Sequence, residues 1–211
     1  MTEKYLKTGT TTVGIKCKDG IVLAADKRAG GGIIVDKRAQ KIFQITSNIA
    51  LTMAGVASDA QLITKLIGAE LRLMEIRKEK KVTVKEAANL LSGIVYQNIR
   101  KMSTIPGISH FLLGGKDNTG FHLFDVYPDG SLSECRDFIS SGSGSVMAYG
   151  VLETLYIADM TLQEGIQLSV KCINAAIQRD MNSGDGIDII TITEQGVKKV
   201  ATKEFTQRIA L

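Results

Sequence analysis

Cysteine is scarce in this chain: Cys17, Cys135 and Cys172 are the only three among 211 residues. The number is odd and no pair has CxxC spacing, so the sequence argues for free thiols in a reducing, cytoplasmic compartment and against a disulfide framework. Histidine is scarcer still. His110 and His122 have no Cys, Asp or Glu at metal-ligand spacing, and both lie in strand-like apolar runs that read as structural, so no metal is expected. No apolar run approaches the roughly 18 residues a membrane span needs. Met1–Gly9 is polar and lacks the apolar core of a secretory signal. Charge of one sign is nearly absent as a feature, with 26 basic against 22 acidic residues. The one dense run, Arg77-Lys78-Glu79-Lys80-Lys81, holds no aromatic residue and reads as a solvated link between helices, not a nucleic-acid surface. No repeat, Pro-rich linker or low-complexity tract divides the chain, and its length is enough for one domain with a substantial core.

What is present is a regular alternation of element types. Extended segments are expected at Thr10–Cys17, Ile21–Asp26, Ile33–Asp36, Lys41–Thr46 and Ile49–Ala54, with Asp19-Gly20 as a turn. Two helices follow. The first, Asp59–Lys78, carries Leu62, Ile63, Leu66, Ile67, Leu71 and Met74 near helical spacing. The second, Thr83–Met102, opens on the capping box Thr83-x-x-Glu86. Strands return at Phe111–Gly114 and Phe121–Val126, and Pro128-Asp129-Gly130 turns into a further hairpin strand. A helix near Ser145 and another from the capping box Thr161-x-x-Glu164 to about Arg179 come next. Ile187–Thr193 and Val197–Val200 form a last hairpin about Gln195-Gly196. Two stacked sheets with a helical layer outside each would bury every apolar face, which predicts an α+β four-layer α-β-β-α sandwich.

The stretch "KTGTTTVGI" has two readings. Three β-branched threonines favour an opening strand, and on its own the stretch favours that reading. The other reading is that Gly9–Thr10 is a bond to be cut. Thr10 would then own a hydroxyl and a free α-amino group, whose pKa of roughly 8 lets one residue supply both nucleophile and base. Gly9, without a side chain, would tolerate strained backbone there. Other stretches place polar groups at element ends. "LAADKRAGGG" puts Asp26 at the close of the second strand, and "KRAQKIFQI" puts Lys41 at the start of a later one. "SSGSGSVMAYGVLE" and "QRDMNSGDGID" put small polar residues at helix boundaries. A surface ion pair for Asp26 and Lys41 stays open at this point. A flexible linker at "SGSGS" is discounted, because it runs straight into an apolar helix pattern.

The order "TGTTTVGI", "MAGVASDAQ", "GSGSVMAYGVLE", "QRDMNSGDGID" resembles the β-subunits of the 20S proteasome, closest to the archaeal type, over essentially all of residues 10–211. These are N-terminal-nucleophile threonine hydrolases. The resemblance implies that Met1–Gly9 is a propeptide removed by autocleavage, leaving a single catalytic domain, residues 10–211. It implies Thr10 as nucleophile, with Asp26 and Lys41 as the acid and lysine beside it. Ser143, Asp180 and Ser183 would bond around the threonine, and the backbone N–H of Gly55 would form the oxyanion hole. Ala29, Ala39, Met53 and Ala57 match the substrate pocket, which implies preference for apolar residues. The chain departs from archaeal relatives in a Gly30–Asp36 loop one residue shorter, and in the lengths of Arg77–Thr83 and Asp129–Arg136. Lys41 is placed by the "KIFQI" match.

The implied activity is endopeptidase cleavage of unfolded polypeptides, with no cofactor and no metal. The implied partners are β-subunits in seven-membered rings, two rings stacked, with proteasome α-subunit rings and a regulatory ATPase. Nucleic acid and membrane are not among them. Two other readings stand beside this one. The first is a catalytically silent structural β-subunit, against which the retained Gly9-Thr10, Asp26 and Lys41 argue. The second is the bacterial-type two-ring ATP-dependent threonine peptidase, from which "GSGSVMAYGVLE" and "QRDMNSGDGID" differ.

Overall fold

A computed structural model describes residues 9–30 and 33–205; the expected propeptide, apart from Gly9, lies outside the described residues. In chain order the elements are β1 (Thr12–Cys17), β2 (Gly20–Asp26), β3 (Ala29–Gly30), β4 (Ile34–Asp36), β5 (Ile42–Gln44), β6 (Ile49–Gly55), α1 (Ala57–Lys78) and α2 (Val84–Arg100). Then come β7 (Ser109–Asp117), β8 (Gly120–Val126), β9 (Leu132–Cys135), β10 (Phe138–Ser141), α3 (Ser145–Leu155), α4 (Leu162–Arg179), β11 (Gly186–Thr193) and β12 (Gly196–Glu204). The strands form one antiparallel sheet in the order β10-β1-β2-β11-β12 and a second in the order β5-β6-β7-β8-β9, with β3-β4 as a separate hairpin.

Period-two alternation sorts the strand residues into three apolar layers. Leu51, Phe111, Leu113 and Phe124 of the second sheet pack against Ile63, Ile67 and Leu91 of α1 and α2. Val13, Val22, Ala24 and Ile189 of the first sheet pack against Leu152, Leu168 and Cys172 of α3 and α4. The opposite faces, Ile21, Leu23, Ile190 and Ile192 against Ala50, Leu112 and Leu123, meet between the sheets. This is the expected four-layer α-β-β-α sandwich. Both sheets are covered on both faces, which is why their strands read as nearly unbroken apolar runs.

Two strands escaped the sequence reading. β10 has four residues and β3 only two, too short for a period to register. The first helix also differs from expectation. Its buried stripe is Ala60, Ile63, Thr64, Ile67 and Leu71, whereas Leu62 and Leu66 are exposed together with Leu73 and Ile76. At about 100° per residue these four lie on the side of α1 opposite the core. α1 therefore carries two apolar faces, one of them open in the single chain. Both histidines hold carboxylates: His110 pairs with Asp125 at 2.6 Å and His122 with Glu134 at 2.7 Å. No helix among the described residues is long and apolar enough to cross a membrane.

Pairing decides what meets at one end of the sandwich. β10 lies beside β1, with Thr12 opposite Ser141, so the segment after β10 arrives next to Thr10. β11 lies beside β2, with Ile187 opposite Asp26, so the segment after α4 arrives next to Asp26. In the second sheet, the start of β5 and the end of β6 fall at the same edge.

Both capping boxes form: Thr83 and Thr161 accept from the backbone N–H groups of Glu86 and Glu164, whose carboxylates accept in return. Thr161→Ala should lower stability by about 1 kcal/mol and Thr161→Ser by less. A shift in the chemical-denaturation midpoint checks this, and an unchanged midpoint for Thr161→Ala would refute it.

Candidate active site

Asp26 closes β2 and is fully buried, with its carboxylate saturated. Its Oδ1 accepts the Thr11 backbone N–H at 2.9 Å and Lys41 Nζ at 2.7 Å. Its Oδ2 accepts the backbone N–H groups of Arg28 at 3.0 Å and Gly184 at 2.9 Å. The ion pair with Lys41 is not on the surface: side-chain exposure is 4% for Lys41 and 0% for Asp26. Burial pulls the Lys41 ammonium below its ordinary lysine pKa, and the neighbouring Asp26 charge and hydrogen bond oppose that pull.

A second acid serves the other side of Thr10. Asp180 caps the C-terminus of α4. Its Oδ2 accepts from Ser143 Oγ and from Ser183 Oγ, both at 2.6 Å. With both serine protons committed to Asp180, the serine oxygens face the threonines as acceptors. Ser143 Oγ accepts the Thr10 N–H at 3.3 Å, and Ser183 Oγ accepts from Thr11 Oγ1 at 2.7 Å. Thr10 Oγ1 donates to the Gly9 carbonyl oxygen at 2.6 Å, and Lys41 Nζ stands 3.4 Å from that same oxygen. Thr10, Asp26, Lys41, Ser143, Asp180 and Ser183 are thus brought together, although they span 174 positions (10 to 183) of the chain.

The "SGSGS" segment is packed, not a linker. Gly142 has φ of 92°, and a Cβ there would overlap the Thr10 carbonyl, 2.7 Å from its carbon. The N–H of Gly144 donates to the same carbonyl at 3.3 Å. Glycine is needed because the loop passes directly over the Thr10 backbone.

A cavity of about 570 Å³ opens beside Thr10. Ala29, Ala39, Met53 and Ala57 all line it, as does Gly55, which ends β6 with φ of 109°. The wall also carries Asp36, Gln61 and Lys65, which the sequence reading did not name. Gln61 and Lys65 follow Ala57 at four-residue steps on α1, so helical spacing could have found them. Thr11, the Arg28–Asp185 pair at 2.7 Å and Asn182 were also missed. The two residues lie 157 positions apart and left no local signal. Among the described residues, no group of three or more His, Cys, Asp or Glu could hold a metal ion.

Two stacked antiparallel sheets between helical layers, with a threonine and its acid, lysine and serine neighbours at one end, are the fold of the N-terminal-nucleophile hydrolases. A family model described as "Proteasome subunit" matches residues 6–192. Similar proteins include "Proteasome subunit beta" of Ferroglobus placidus, 44% identical over 198 residues, covering 93% of this chain and 92% of the relative. That of Methanocaldococcus vulcanius is 42% identical over 94% of this chain and 88% of its own. That of Archaeoglobus fulgidus is 40% identical over 211 residues, 100% of this chain and 97% of its own. The chain belongs to the proteasome subunit family, among the archaeal β-subunits, a family whose members assemble into a proteasome particle.

Removing Asp26 leaves a buried ammonium without its counter-charge. Asp26→Asn should cost about 3–5 kcal/mol of stability. Pairing it with Lys41→Met should cost less than the two single changes summed. A double-mutant cycle on unfolding midpoints checks this, and strict additivity would show that the two side chains do not interact.

Proposed function

We propose that the chain is a catalytic β-subunit, a threonine endopeptidase whose nucleophile is Thr10 after self-cleavage of Gly9–Thr10. The observation that carries this is the position of Thr10 Oγ1, 2.6 Å from the Gly9 carbonyl oxygen with Lys41 Nζ beside it. In the first reaction Thr10 Oγ1 gives up its proton, which ends on the Thr10 nitrogen, attacks the Gly9 carbonyl carbon and closes a small ring through Cβ, Cα and N. The C–N bond then breaks, the nitrogen takes up that proton, and Gly9 is left as an ester on Oγ1. Water hydrolyses that ester. Met1–Gly9 leaves, and residues 10–211 remain as the catalytic domain.

The released amine then becomes the base that the precursor lacked. It accepts the Oγ1 proton as the hydroxyl attacks a substrate carbonyl, passes a proton to the leaving amine, and activates the water that hydrolyses the acyl-enzyme. Ser143, held by Asp180, accepts from this nitrogen and orients it. The Lys41 charge lowers the proton affinity of the amine, and Asp26 fixes where that charge sits. Gly55 N–H is assigned to the oxyanion. The cavity walls formed by Ala29, Ala39, Met53 and Ala57 support cleavage after apolar residues of unfolded polypeptides. Leu- or Tyr-type peptides should be turned over faster than acidic or basic ones in a fluorogenic assay, and the reverse order would refute the pocket.

The partners proposed are β-subunits in two stacked seven-membered rings, α-subunit rings and a regulatory ATPase. The open apolar face of α1, with exposed Ile33 and Val35 by the β3-β4 hairpin, supports burial against neighbouring chains. Rings with the active sites inside would also shield the cell from so general a protease.

Lys41 is needed in both reactions. Lys41→Ala should keep the nine-residue extension and lose peptidase activity, and Lys41→Arg should do the same, since a guanidinium differs in shape and holds its proton. Making Lys41→Ala as a chain that already starts at Thr10 separates the roles. Full activity there would restrict Lys41 to processing. A catalytically silent subunit would show no turnover even without substitution.

The wild-type rate should rise with pH as the Thr10 amine deprotonates. It should fall again when Lys41 loses its charge. Because burial lowers the Lys41 pKa, that descending limb should lie below the ordinary lysine value of 10.5. A kcat/KM profile still level above that pH would contradict the role of the ammonium.

A further inference from the structure

Gly9 lies against Asn182. A Cβ built on Gly9 would land on the Asn182 Cβ, 2.6 Å from its Cγ and 2.8 Å from its Cα. The obstacle is the root of the side chain and the backbone itself, not the far end of a flexible group.

That wall is braced by hydrogen bonds along its own loop. The Asn182 N–H donates to Asp180 Oδ1 at 3.2 Å, and the Ser183 N–H donates to the Asp180 carbonyl at 3.1 Å. The Met181 carbonyl accepts from Arg28 Nη1 at 2.9 Å, and Arg28 Nε is itself paired with Asp185 at 2.7 Å. The Gly184 N–H donates to buried Asp26 at 2.9 Å. Residues 181 to 184 are each tied down, so Asn182 cannot retreat from an incoming side chain without breaking a bond to one of the two acids of the site. The Gly9 carbonyl oxygen itself meets Thr10 Oγ1 and Lys41 Nζ.

We propose that Asn182 is the steric wall that restricts residue 9 to glycine, and that by standing against Gly9 it holds the carbonyl to be attacked in register with Thr10 Oγ1. The proposal rests on the self-cleavage reading and deepens it. Asn182 is a positioning residue in this account: it has no part in bond making, and it acts on the chemistry through Gly9. Glycine is required here for room, because the braced loop occupies the volume that any side chain would need.

The test follows loss of the nine-residue extension by intact mass, on the full chain assembled with its partners. Wild type is compared with Gly9→Ala, alone and combined with Asn182→Ala or Asn182→Gly. A methyl group at residue 9 must push the carbonyl away from the wall, and a misplacement of about 1 Å should slow processing about a hundredfold. Asn182→Ala keeps the offending Cβ and should rescue nothing. Asn182→Gly removes it and should recover about tenfold, not the whole loss, because the Cα still stands close. Processing of Gly9→Ala at the wild-type rate overturns the proposal, and so does equal rescue, or no rescue, by both Asn182 variants. Should Asn182→Gly impair processing even with Gly9 present, a structure of the Gly9→Ala precursor decides. Residue 9 or residues 180–184 should be displaced, and an unmoved loop with the 2.6 Å Thr10–Gly9 contact intact overturns the proposal. A wild-type chain that never shortens in an assembled, peptidase-active particle sinks the self-cleavage reading itself, a result none of the Asn182 variants can imitate.

Discussion

The carboxylate of Asp26 is the constraint on which the rest of this end of the molecule depends. It is buried, paired with Lys41 at 2.7 Å, and bonded by four donors from four separate segments of the chain. A charge taken out of water is tolerated only when it is paired and its lone pairs are filled. Each donor is therefore held in place by the cost of its leaving. Thr11 sets the start of β1, Arg28 the exit from β2, Gly184 the loop after α4, and Lys41 the entry to the second sheet. Through one side chain, the two sheets are locked in register where the candidate chemistry sits.

Asp180 repeats the device on the other side of Thr10. By taking both serine protons it turns Ser143 and Ser183 into acceptors aimed at the threonines. Thr10 thus lies between a lysine fixed by one acid and a serine fixed by another. In the proposed reaction these flanking groups do not themselves react, and electrostatic catalysis favours such an arrangement, since dipoles already aligned need no reorganisation in the transition state. The loop joining the two acids, residues 181–184, also carries Asn182, so the wall at Gly9 and the orientation of the threonine share one set of hydrogen bonds.

Much of this was legible in the sequence. Apolar runs covered on both faces, two S/T-x-x-E boxes and the order of strand and helix blocks led to the four-layer sandwich. The end of β2, the start of β5 and the polar turns around α3 and α4 led to Asp26, Lys41, Ser143, Asp180 and Ser183 once the family resemblance was added. Physics alone left Asp26 and Lys41 as a possible surface pair, because burial depends on what the other sheet places above them. β10 was too short to carry a period, yet its pairing with β1 is what delivers Ser143. Leu62 and Leu66 look like core by hydrophobicity and are exposed by helical phase. Asn182 and the Arg28–Asp185 pair gave no signal, since their meaning arises only from contacts between distant segments.

Everything proposed for Thr10 depends on its becoming the first residue of the chain. Intact-mass and N-terminal analysis of the assembled, peptidase-active particle reads this directly. The predicted result is a β-chain that begins at Thr10 with a free α-amino group. An active particle whose β-chain still begins at Met1 would contradict it, because the nitrogen of Thr10 would then be an amide and could not serve as the base.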